Sequence, residues 1–367
     1  MEVIAGRLVL NDRVRPGRIR IEDGVIATIE ADDDAAGPWV IPGLVDIHIH
    51  GCGGFDSLGG LESLEGMSRF LVNRGVTSFL PTAVSSSVDS LVRFAHSVRE
   101  WMQRQPPDVA QVIGFNLEGP FISHTRRGAH NPDHLREPSQ VPWDQIEVLL
   151  EDLRVITIAP ELPGSLDLIH RVAGRGVTVS LGHSDATSEQ AVAGYRAGAR
   201  AATHLFNAMS AIDHHAPGLA SVALGDDGVY VELIADGHHV DPGLWKVVWR
   251  TKPADKLVLV SDSISPAGTS QSRFELGGVP VEIRNDQAVL LGGHLAGSMI
   301  SLDSAVSNIT HAGLALPRAV AAASENAARL VRVNDRGRLA TGMRADLALL
   351  DDGFRVTRAM VAGRWVN

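Results

Sequence analysis

The chain has 367 residues, of which 44% are hydrophobic and 21% charged, and its formal net charge is -10 at pH 7. This composition is that of a globular protein rather than a disordered one, and the length suits one (β/α)8 barrel with an appended unit. The acidic balance, with no cluster of lysines and arginines to reverse it, gives no electrostatic reason to bind nucleic acid or an anionic membrane surface.

Cysteine usage and hydropathy bear on the cellular compartment. Cys52 is the single cysteine, so no intrachain disulfide can form. The N-terminus has Glu2 and Arg7 around a short apolar run, unlike a secretory signal, and no apolar run reaches the length of a membrane span. These features predict a cytoplasmic protein with no membrane partner.

Both ends of the chain show the alternation of apolar and polar residues that is typical of strands. Residues 2–10 and 18–30 alternate around the hairpin signal Asp23-Gly24, and residues 345–350 and 355–367 alternate around Asp352-Gly353. The two ends are therefore predicted to form one small β-sandwich domain from residues 1–42 and 337–367. The catalytic part would be residues 43–336.

The segment Leu44-Val-Asp-Ile-His-Ile-His-Gly51 is the first strand of that part. In a β-strand, Asp46, His48 and His50 turn to one face and the apolar residues between them to the other. Glycines at 51, 53 and 54 leave space for water and a substrate beside a bound metal. The pattern indicates a metal site at a strand end and hence a hydrolase, although a His-x-His pair alone also fits the solvent face of an edge strand.

Eight β-branched runs alternate with stretches of helical periodicity between residues 44 and 263. The predicted strands are Leu44–Gly51, Thr77–Val84, Val112–Phe121, Val155–Glu161, Thr178–Ser184, Ala201–Asn207, Val229–Gly237 and Lys256–Ser263. This rhythm predicts an α/β fold, a (β/α)8 TIM barrel.

Two helices can be predicted from local signals. Thr187-Ser-Glu-Gln190 is a capping box that opens a helix, and Gly198 offers its C-terminal stop. The alanine-rich stretch Ala319–Ala328 is predicted to be helical, with Pro317 near its first turn.

Polar residues recur where the predicted strands end, which in such a barrel is the catalytic mouth. They are His48, His50, Glu118, His183, His204, Asn207, Asp236, His239 and Asp262. Scattered core or surface residues would not align in this way.

Several segments together resemble the N-acetylglucosamine-6-phosphate deacetylases of the amidohydrolase superfamily. They are Asp46-Ile-His-Ile-His50, Leu117-Glu-Gly-Pro120, Gly128-Ala-His-Asn-Pro132, Ala159-Pro-Glu161, Gly182-His-Ser184, Thr203-His-Leu-Phe-Asn-Ala-Met209, Pro217-Gly-Leu219, Ala235-Asp-Gly237 with His239-Val240, and Ser261-Asp262 with Pro266-Ala-Gly268. The resemblance spans almost the whole chain.

The resemblance implies a divalent metal, zinc or iron(II), held by Glu118, His183 and His204. Two imidazoles and one carboxylate leave a position for water, as a catalytic site requires. His48 and His50 would hold a second ion, with Glu118 as the bridge, so one or two ions per subunit are expected.

The resemblance also implies the roles of residues that act on the substrate. Asp262 matches the catalytic aspartate, which takes a proton from the attacking water and later delivers it to the departing amine. His130 resembles the histidine that contacts the substrate and polarises its carbonyl. Asn207, Ala208 and His239 resemble further substrate contacts.

One position departs from the family pattern. An Arg-Glu pair usually precedes the Pro-Gly after the sixth strand, and its arginine binds substrate phosphate across a dimer interface, whereas here the pair reads His215-Ala216. Histidine offers less charge and fewer donors to phosphate than arginine. Arg127, beside Arg126 in the loop before His130, is a candidate replacement. The resemblance implies a homodimer.

Three functions follow from these observations. The first is a deacetylase of N-acetylglucosamine 6-phosphate that yields glucosamine 6-phosphate and acetate. The second keeps the chemistry but acts on an unphosphorylated or differently phosphorylated N-acetyl amino sugar, or on an amino cyclitol, because His215 replaces the arginine. The third is a non-catalytic sugar-binding or regulatory protein, which an intact set of metal ligands and Asp262 disfavours.

Overall fold

A computed structural model describes residues 1–366; Asn367, the last residue of the predicted C-terminal part, lies outside the described residues. The strands are β1 (Glu2–Val9), β2 (Val14–Glu22), β3 (Val25–Ala31), β4 (Trp39–Pro42), β5 (Leu44–Ile49), β6 (Gly51–Cys52), β7 (Phe55–Asp56), β8 (Val76–Val84), β9 (Gln111–Val112), β10 (Phe115–Glu118), β11 (Leu153–Ile158), β12 (Thr178–Leu181), β13 (Ala201–Ala202), β14 (Tyr230–Leu233), β15 (Leu257–Leu259), β16 (Arg273–Leu276), β17 (Val279–Arg284), β18 (Gln287–Leu290), β19 (Leu347–Leu350), β20 (Val356–Val361) and β21 (Arg364–Trp365).

The helices lie between these strands and after them. They are α1 (Gly60–Val72), α2 (Val88–Arg104), α3 (Trp143–Glu147), α4 (Ser165–Gly174), α5 (Ser188–Ala197), α6 (Leu219–Gly225), α7 (Pro242–Thr251), α8 (Leu302–His311), α9 (Leu316–Ala322) and α10 (Glu325–Leu330). Short 3-10 turns cover Ser57–Gly59, Pro132–His134 and Pro138–Gln140.

Eight parallel strands form the barrel, in the order β5, β8, β10, β11, β12, β13, β14 and β15, with β9 as an extra short pair of β8. Backbone hydrogen bonds close the seam between the first and the last strand. The N–H of Asp262 donates to the carbonyl of His48 at 2.9 Å, and the N–H of His50 donates to the carbonyl of Ser263 at 2.8 Å. The predicted barrel is confirmed.

Several predicted strands extend too far at their C-terminal ends. The fifth barrel strand ends at Leu181 and the sixth at Ala202, whereas the pattern continued to Ser184 and Asn207. Most residues beyond these two strands remain buried, so hydrophobic patterning alone does not reveal where the backbone leaves the β conformation.

The two chain ends build one seven-stranded sheet, in the order β21, β20, β19, β4, β1, β2 and β3. Both predicted hairpins are present: β2 pairs with β3 around Asp23-Gly24, and β19 with β20 around the turn that holds Asp352-Gly353. Gly24 has φ 77, in the left-handed region that a tight hairpin requires.

A three-stranded sheet, β16 to β18, follows the barrel and was not predicted. Its turns are Gly277-Gly278 and Asn285-Asp286, which are tight-hairpin signals that the sequence does carry. Leu276, Val281 and Ala288 of this sheet pack with Val84 and Ile264 at the barrel mouth. The sheet therefore covers part of the mouth.

The predicted capping box is present, because Thr187 and Gln190 cap α5 reciprocally and the helix ends at Gly198. The predicted alanine-rich helix is divided into two helices, α9 and α10. At the break, the Ser324 hydroxyl donates to the carbonyl of Val320 and the Asn326 amide donates to the carbonyl of Leu257. Helix α10 thereby packs against the barrel. Within residues 1–366, no helix is both long and apolar enough to cross a membrane.

Candidate metal centre

Side chains from five barrel strands, or from the segments that follow them, meet around the carboxylate of Glu118. Its Oε1 lies 2.9 Å from Nε2 of His183 and 2.8 Å from Nε2 of His204, and those two nitrogens are 3.1 Å apart. Its Oε2 lies 3.2 Å from Nε2 of His50 and 3.0 Å from Nε2 of His130. The sequence-distant residues predicted to form a metal site therefore share one point.

Asp262 and His48 complete this cluster. Oδ1 of Asp262 lies 3.2 Å from Nε2 of His50 and 3.6 Å from Nε2 of His48. All these side chains are buried. Glu118 thus stands between the His183–His204 pair on one side and the His48–His50 pair on the other, as a bridging carboxylate would.

The backbone turns sharply to aim these side chains inward. His183, His204 and Asp262 have φ values of 46, 30 and 50, in the left-handed region, directly after three barrel strands. A non-glycine residue there costs of order 1–2 kcal/mol, and such residues cluster at functional sites. The turn explains why these strands end earlier than their apolar pattern.

Three histidines have their tautomer set by the partner of Nδ1. In His183, Nδ1 lies 2.8 Å from the carbonyl of Arg126. In His50 it lies 3.1 Å from the carbonyl of Thr82, and in His48 it lies 3.1 Å from the carboxylate of Glu232. These oxygens only accept, so each Nδ1 carries a proton and each Nε2 keeps a lone pair in the neutral ring. The lone pairs point at the cluster.

His130 has the opposite tautomer. The backbone N–H of Ser85 donates to its Nδ1 at 3.1 Å, which leaves the proton on Nε2, 3.0 Å from Glu118. Burial lowers the pKa of His130 to about 4, so the ring is neutral near pH 7. His130 groups spatially with Glu118 and His183 as possible metal ligands, but a protonated Nε2 is a hydrogen-bond donor rather than a ligand.

The cluster fits a divalent metal ion. Metal bonds of about 2.0–2.2 Å at a tetrahedral angle place ligand atoms about 3.3–3.6 Å apart, a few tenths of an ångström more than the spacings in the Glu118, His183 and His204 group. The His48, His50 and Glu118 group also has its ligand atoms within 4.8 Å of one another. In addition, Nε2 of His48 is buried without a hydrogen-bond partner among the described residues.

The charges of the cluster favour a cation. Burial disfavours the charged imidazole, yet the carboxylates of Asp262 and Glu118 raise the pKa of His50 to about 9. Burial would raise the pKa of Asp262, but the hydrogen bond from His50 and the charges of His48 and His50 lower it to about 2. The carboxylates that attract protons here also attract a divalent ion.

A cavity of about 460 Å³ opens above the cluster. Asn207, Ala208, Arg127 and His239, which the sequence predicted as substrate contacts, all line it. Nδ1 of His239 lies 2.7 Å from the Asp236 carboxylate, which raises the pKa of His239 against the effect of burial. The ring of His239 therefore carries positive charge into the cavity over a wider pH range.

Two residues singled out in the sequence lie elsewhere. His215 is exposed in a loop outside the cavity of the single chain, so its substrate contact stays a prediction. Asp46 does not join the face of His48 and His50: its Oδ1 accepts from the backbone of His48 and Ser261, and it lines a separate cavity of about 180 Å³. The strand bends between Asp46 and Ile49, which breaks the expected alternation.

Sequence reasoning missed two groups of residues at this site. Glu232, which contacts His48, stands in the seventh strand as one charged residue in an apolar run, and that anomaly was the available signal. Leu276, His294, Leu295 and Gly297 line the cavity from the unpredicted sheet and the segment after it.

A parallel barrel that gathers imidazoles and carboxylates around one point at the ends of its strands defines a metal-dependent enzyme. The model of the amidohydrolase family matches residues 39–366. An N-acetylgalactosamine-6-phosphate deacetylase of Escherichia coli O157:H7 is 34% identical over 95% of this chain and 94% of its own length. The chain belongs to the amidohydrolase family and, within it, to the family of the N-acetylglucosamine-6-phosphate deacetylases.

Solved structures agree with this assignment. The N-acetylglucosamine-6-phosphate deacetylase of Thermotoga maritima has a TM-score of 0.94 at 32% identity, covering 100% of this chain and 99% of that chain. A mutant of the N-acetyl-D-glucosamine-6-phosphate deacetylase of Mycobacterium smegmatis, in complex with N-acetyl-D-glucosamine-6-phosphate, has a TM-score of 0.92 at 30% identity, covering 99% of this chain and 98% of that chain. Members of this family are carbon–nitrogen hydrolases, and the fold of the chain is theirs over its whole length.

Proposed function

We propose that this protein hydrolyses the N-acetyl group of N-acetylglucosamine 6-phosphate to give glucosamine 6-phosphate and acetate. The observation that carries the proposal is the convergence of Glu118, His183, His204 and Asp262 on one point beneath an open cavity. An amide has no charge of its own to exploit, so its hydrolysis requires an activated water and a polarised carbonyl.

In this proposal, Glu118, His183 and His204 hold a divalent ion, zinc or iron(II), and His48 with His50 can hold a second one. The ion supplies the Lewis acidity that makes water a nucleophile near neutral pH. Imidazole and carboxylate ligands suit both metals.

Asp262 serves as general base and then as general acid. Its carboxylate lies at the cavity floor, where it takes the proton of the attacking water and returns it to the nitrogen as the carbon–nitrogen bond breaks. Burial would raise the pKa of Asp262, but the hydrogen bond from His50 and the charges of His48 and His50 hold it low, so the carboxylate is ionised and can accept a proton.

His130 polarises the amide carbonyl through the proton on Nε2. Ser85 holds the ring by donating its backbone N–H to Nδ1, so the donating nitrogen faces the cavity without a need to reorient. The oxygen that gains negative charge as water attacks then accepts this hydrogen bond.

The sugar lies in the cavity, where Asn207, Ala208 and His239 contact it. Arg127 is the candidate for the phosphate, because Arg126 is already paired with Asp185 at 2.7 Å. Phosphate carries about -1.5 to -2 charge near neutral pH, and an arginine fork is its usual partner. His215 would reach the phosphate from a second subunit if the protein forms the homodimer that we propose.

A second candidate is a related amino sugar. The 34% identical relative from Escherichia coli is named for the galactosamine epimer, and His215-Ala216 stands where the family pattern has Arg-Glu. The alternatives are therefore N-acetylgalactosamine 6-phosphate, an unphosphorylated N-acetyl amino sugar and an amino cyclitol.

Initial rates with four substrates decide among these functions: N-acetylglucosamine and N-acetylgalactosamine, each with and without the 6-phosphate. We expect the highest kcat/KM with N-acetylglucosamine 6-phosphate, and a loss of at least tenfold for Arg127→Met with the phosphorylated sugar only. Equal kcat/KM without the phosphate would overturn the lead substrate. No acetate release from any substrate by the fully metal-loaded protein would favour a binding or regulatory function instead.

The remaining assignments belong to the same proposal. The protein would act as a cytoplasmic homodimer, with a catalytic domain at 43–336 and a small domain from 1–42 and 337–367. Sedimentation equilibrium tests the dimer, and limited proteolysis tests the boundaries.

A further inference from the structure

Glu232 on β14 is a buried carboxylate that does not take part in the proposed hydrolysis. Its side chain is 0% exposed. Oε2 lies 3.1 Å from Nδ1 of His48 and also accepts the backbone N–H of His204 at 3.2 Å. Glu232 therefore connects one histidine from each side of the Glu118 carboxylate.

A carboxylate in this position requires positive charge nearby. Burying an ionised carboxylate costs several kcal/mol unless a cation compensates it. Among the described residues, His48 is the single basic side chain within ion-pair distance of Glu232, and Oε1 of Glu232 has no hydrogen-bond partner. The positive charge that compensates the carboxylate of Glu232 must then lie on, or be bound to, the ring of His48.

The far side of that ring is without a partner. Nε2 of His48 is buried, and the nearest carboxylate oxygens are 3.5 Å away in Glu118 and 3.6 Å away in Asp262, too long for good hydrogen bonds. A proton on Nε2 would therefore be a buried, unsatisfied donor. A lone pair on Nε2 has a partner if a metal ion binds it. The hydrogen bond that Nδ1 donates to the carboxylate of Glu232 makes that lone pair more basic.

We propose that Glu232 is a positioning residue that fixes His48 as a ligand of a second divalent ion and couples it to the first ion through the backbone of His204. This proposal deepens the function proposed above and rests on it. Three buried carboxylates, Glu118, Glu232 and Asp262, surround the cluster. A single divalent ion would leave one of these negative charges uncompensated, whereas two ions compensate all three.

The test is metal binding rather than turnover. The metal-free protein is titrated with Co2+ alone, the bound metal is quantified by atomic emission, and the visible absorption of cobalt reports each site. Wild type is expected to bind two ions per chain. Glu232→Gln keeps an acceptor for His48 but removes the charge, so the second ion should bind about 10–100-fold more weakly, with the first ion within about threefold of wild type.

Two further variants separate this role from a general structural one. Glu325→Gln removes a buried carboxylate that pairs with Arg329 and Arg338, and should leave both cobalt sites intact. His48→Gln should lose the second ion, and adding Glu232→Gln to it should cause no further loss, since Glu232 acts through that ring.

Several outcomes overturn the proposal. They are a single ion in wild type, two ions of unchanged affinity in Glu232→Gln, and additive losses in the double variant. If Glu232→Gln does not fold, nitrogen-edited NMR of zinc-loaded wild type decides instead: a proton on Nδ1 of His48 supports the role, and a proton on Nε2 overturns it. A wild type that binds no ion at all would remove the proposed function itself, whereas one that deacetylates with a single ion would remove only this inference.

Discussion

At the scale of single residues, chemistry at the barrel mouth depends on which ring nitrogen of each histidine carries the proton. Carbonyl or carboxylate partners hold the proton of His48, His50 and His183 on Nδ1 and free Nε2 for a metal. The Ser85 N–H does the reverse in His130. These four similar side chains therefore divide into three rings suited to bind a metal and one suited to donate a hydrogen bond, which ring type and spacing alone would not reveal.

Replacement of Asp262 tests the proton-transfer role. Asp262→Asn keeps the shape of the side chain but removes the base, so kcat should fall by about 10²–10⁴-fold. Steady-state rates of acetate release measure the effect, and metal analysis checks that the ion of Glu118, His183 and His204 is retained. Asp241→Asn, at the exposed N-cap of α7, is the matched control and should keep wild-type rates. A kcat within threefold of wild type for Asp262→Asn would exclude Asp262 as the base.

The pH dependence of metal binding follows from His50. In the metal-free protein its pKa is about 9, and a ligand imidazole must be deprotonated at Nε2. Binding therefore releases a proton below about pH 9, and the apparent affinity at this position should rise with pH, about tenfold per unit for one proton. Competition with a chelator of known affinity between about pH 6.5 and about pH 8.5 measures the slope. An affinity independent of pH would contradict the protonated state of His50.

At the scale of elements, the segment that follows the three-stranded sheet determines how the eighth barrel strand ends. The N–H of Ser298 donates to the carbonyl of Asp262 at 2.8 Å, so this segment bonds the backbone of the proposed catalytic aspartate, whose own N–H bonds His48 across the barrel seam. Gly297 makes the close approach possible: a Cβ there would lie 2.6 Å from Ile264 and 3.1 Å from the Asp262 carbonyl.

Gly297→Ala should therefore displace Asp262. Both Gly297 and Gly293 have positive φ, 69 and 82, so alanine costs about 1–2 kcal/mol of backbone strain at either position. A Cβ at Gly293 meets nothing within 4 Å. We expect a loss of at least tenfold in kcat/KM for Gly297→Ala and less than threefold for Gly293→Ala. Equal losses in the two variants would show that strain alone, and not contact with Asp262, lowers the activity.

At the scale of the whole molecule, the barrel surrounds a buried cluster whose carboxylates attract a cation. Five imidazoles and two carboxylates lie within one small volume, with the seven-stranded sheet of the chain ends beside the barrel. The two parts meet at Asp346, whose carboxylate accepts from Arg344 at 2.9 Å and whose carbonyl accepts from the N–H of Gly43 at 2.8 Å.

Removal of the metal should therefore lower the thermal stability of the protein. A ligand at 1,000 times its Kd stabilises the folded state by about 4 kcal/mol. Differential scanning calorimetry with and without a chelator measures the change in Tm, and added zinc or iron(II) should restore it. Chelator already saturated with metal is the control and should have no effect. A Tm unchanged by complete metal removal would mean that the folded cluster is stable without an ion.

The amino-acid sequence by itself determined the barrel, the hairpins of the two ends and the set of residues around Glu118. These follow from local periodicity and from the rule that side chains at the carboxyl ends of parallel strands converge, both of which can be read along the chain. The tertiary structure alone decided the left-handed turn at His183, the direction of Asp46, the partnership of Glu232 with His48 and the sheet over the mouth. Each of these depends on which distant backbone or side-chain group lies opposite, and that is set only when the barrel closes.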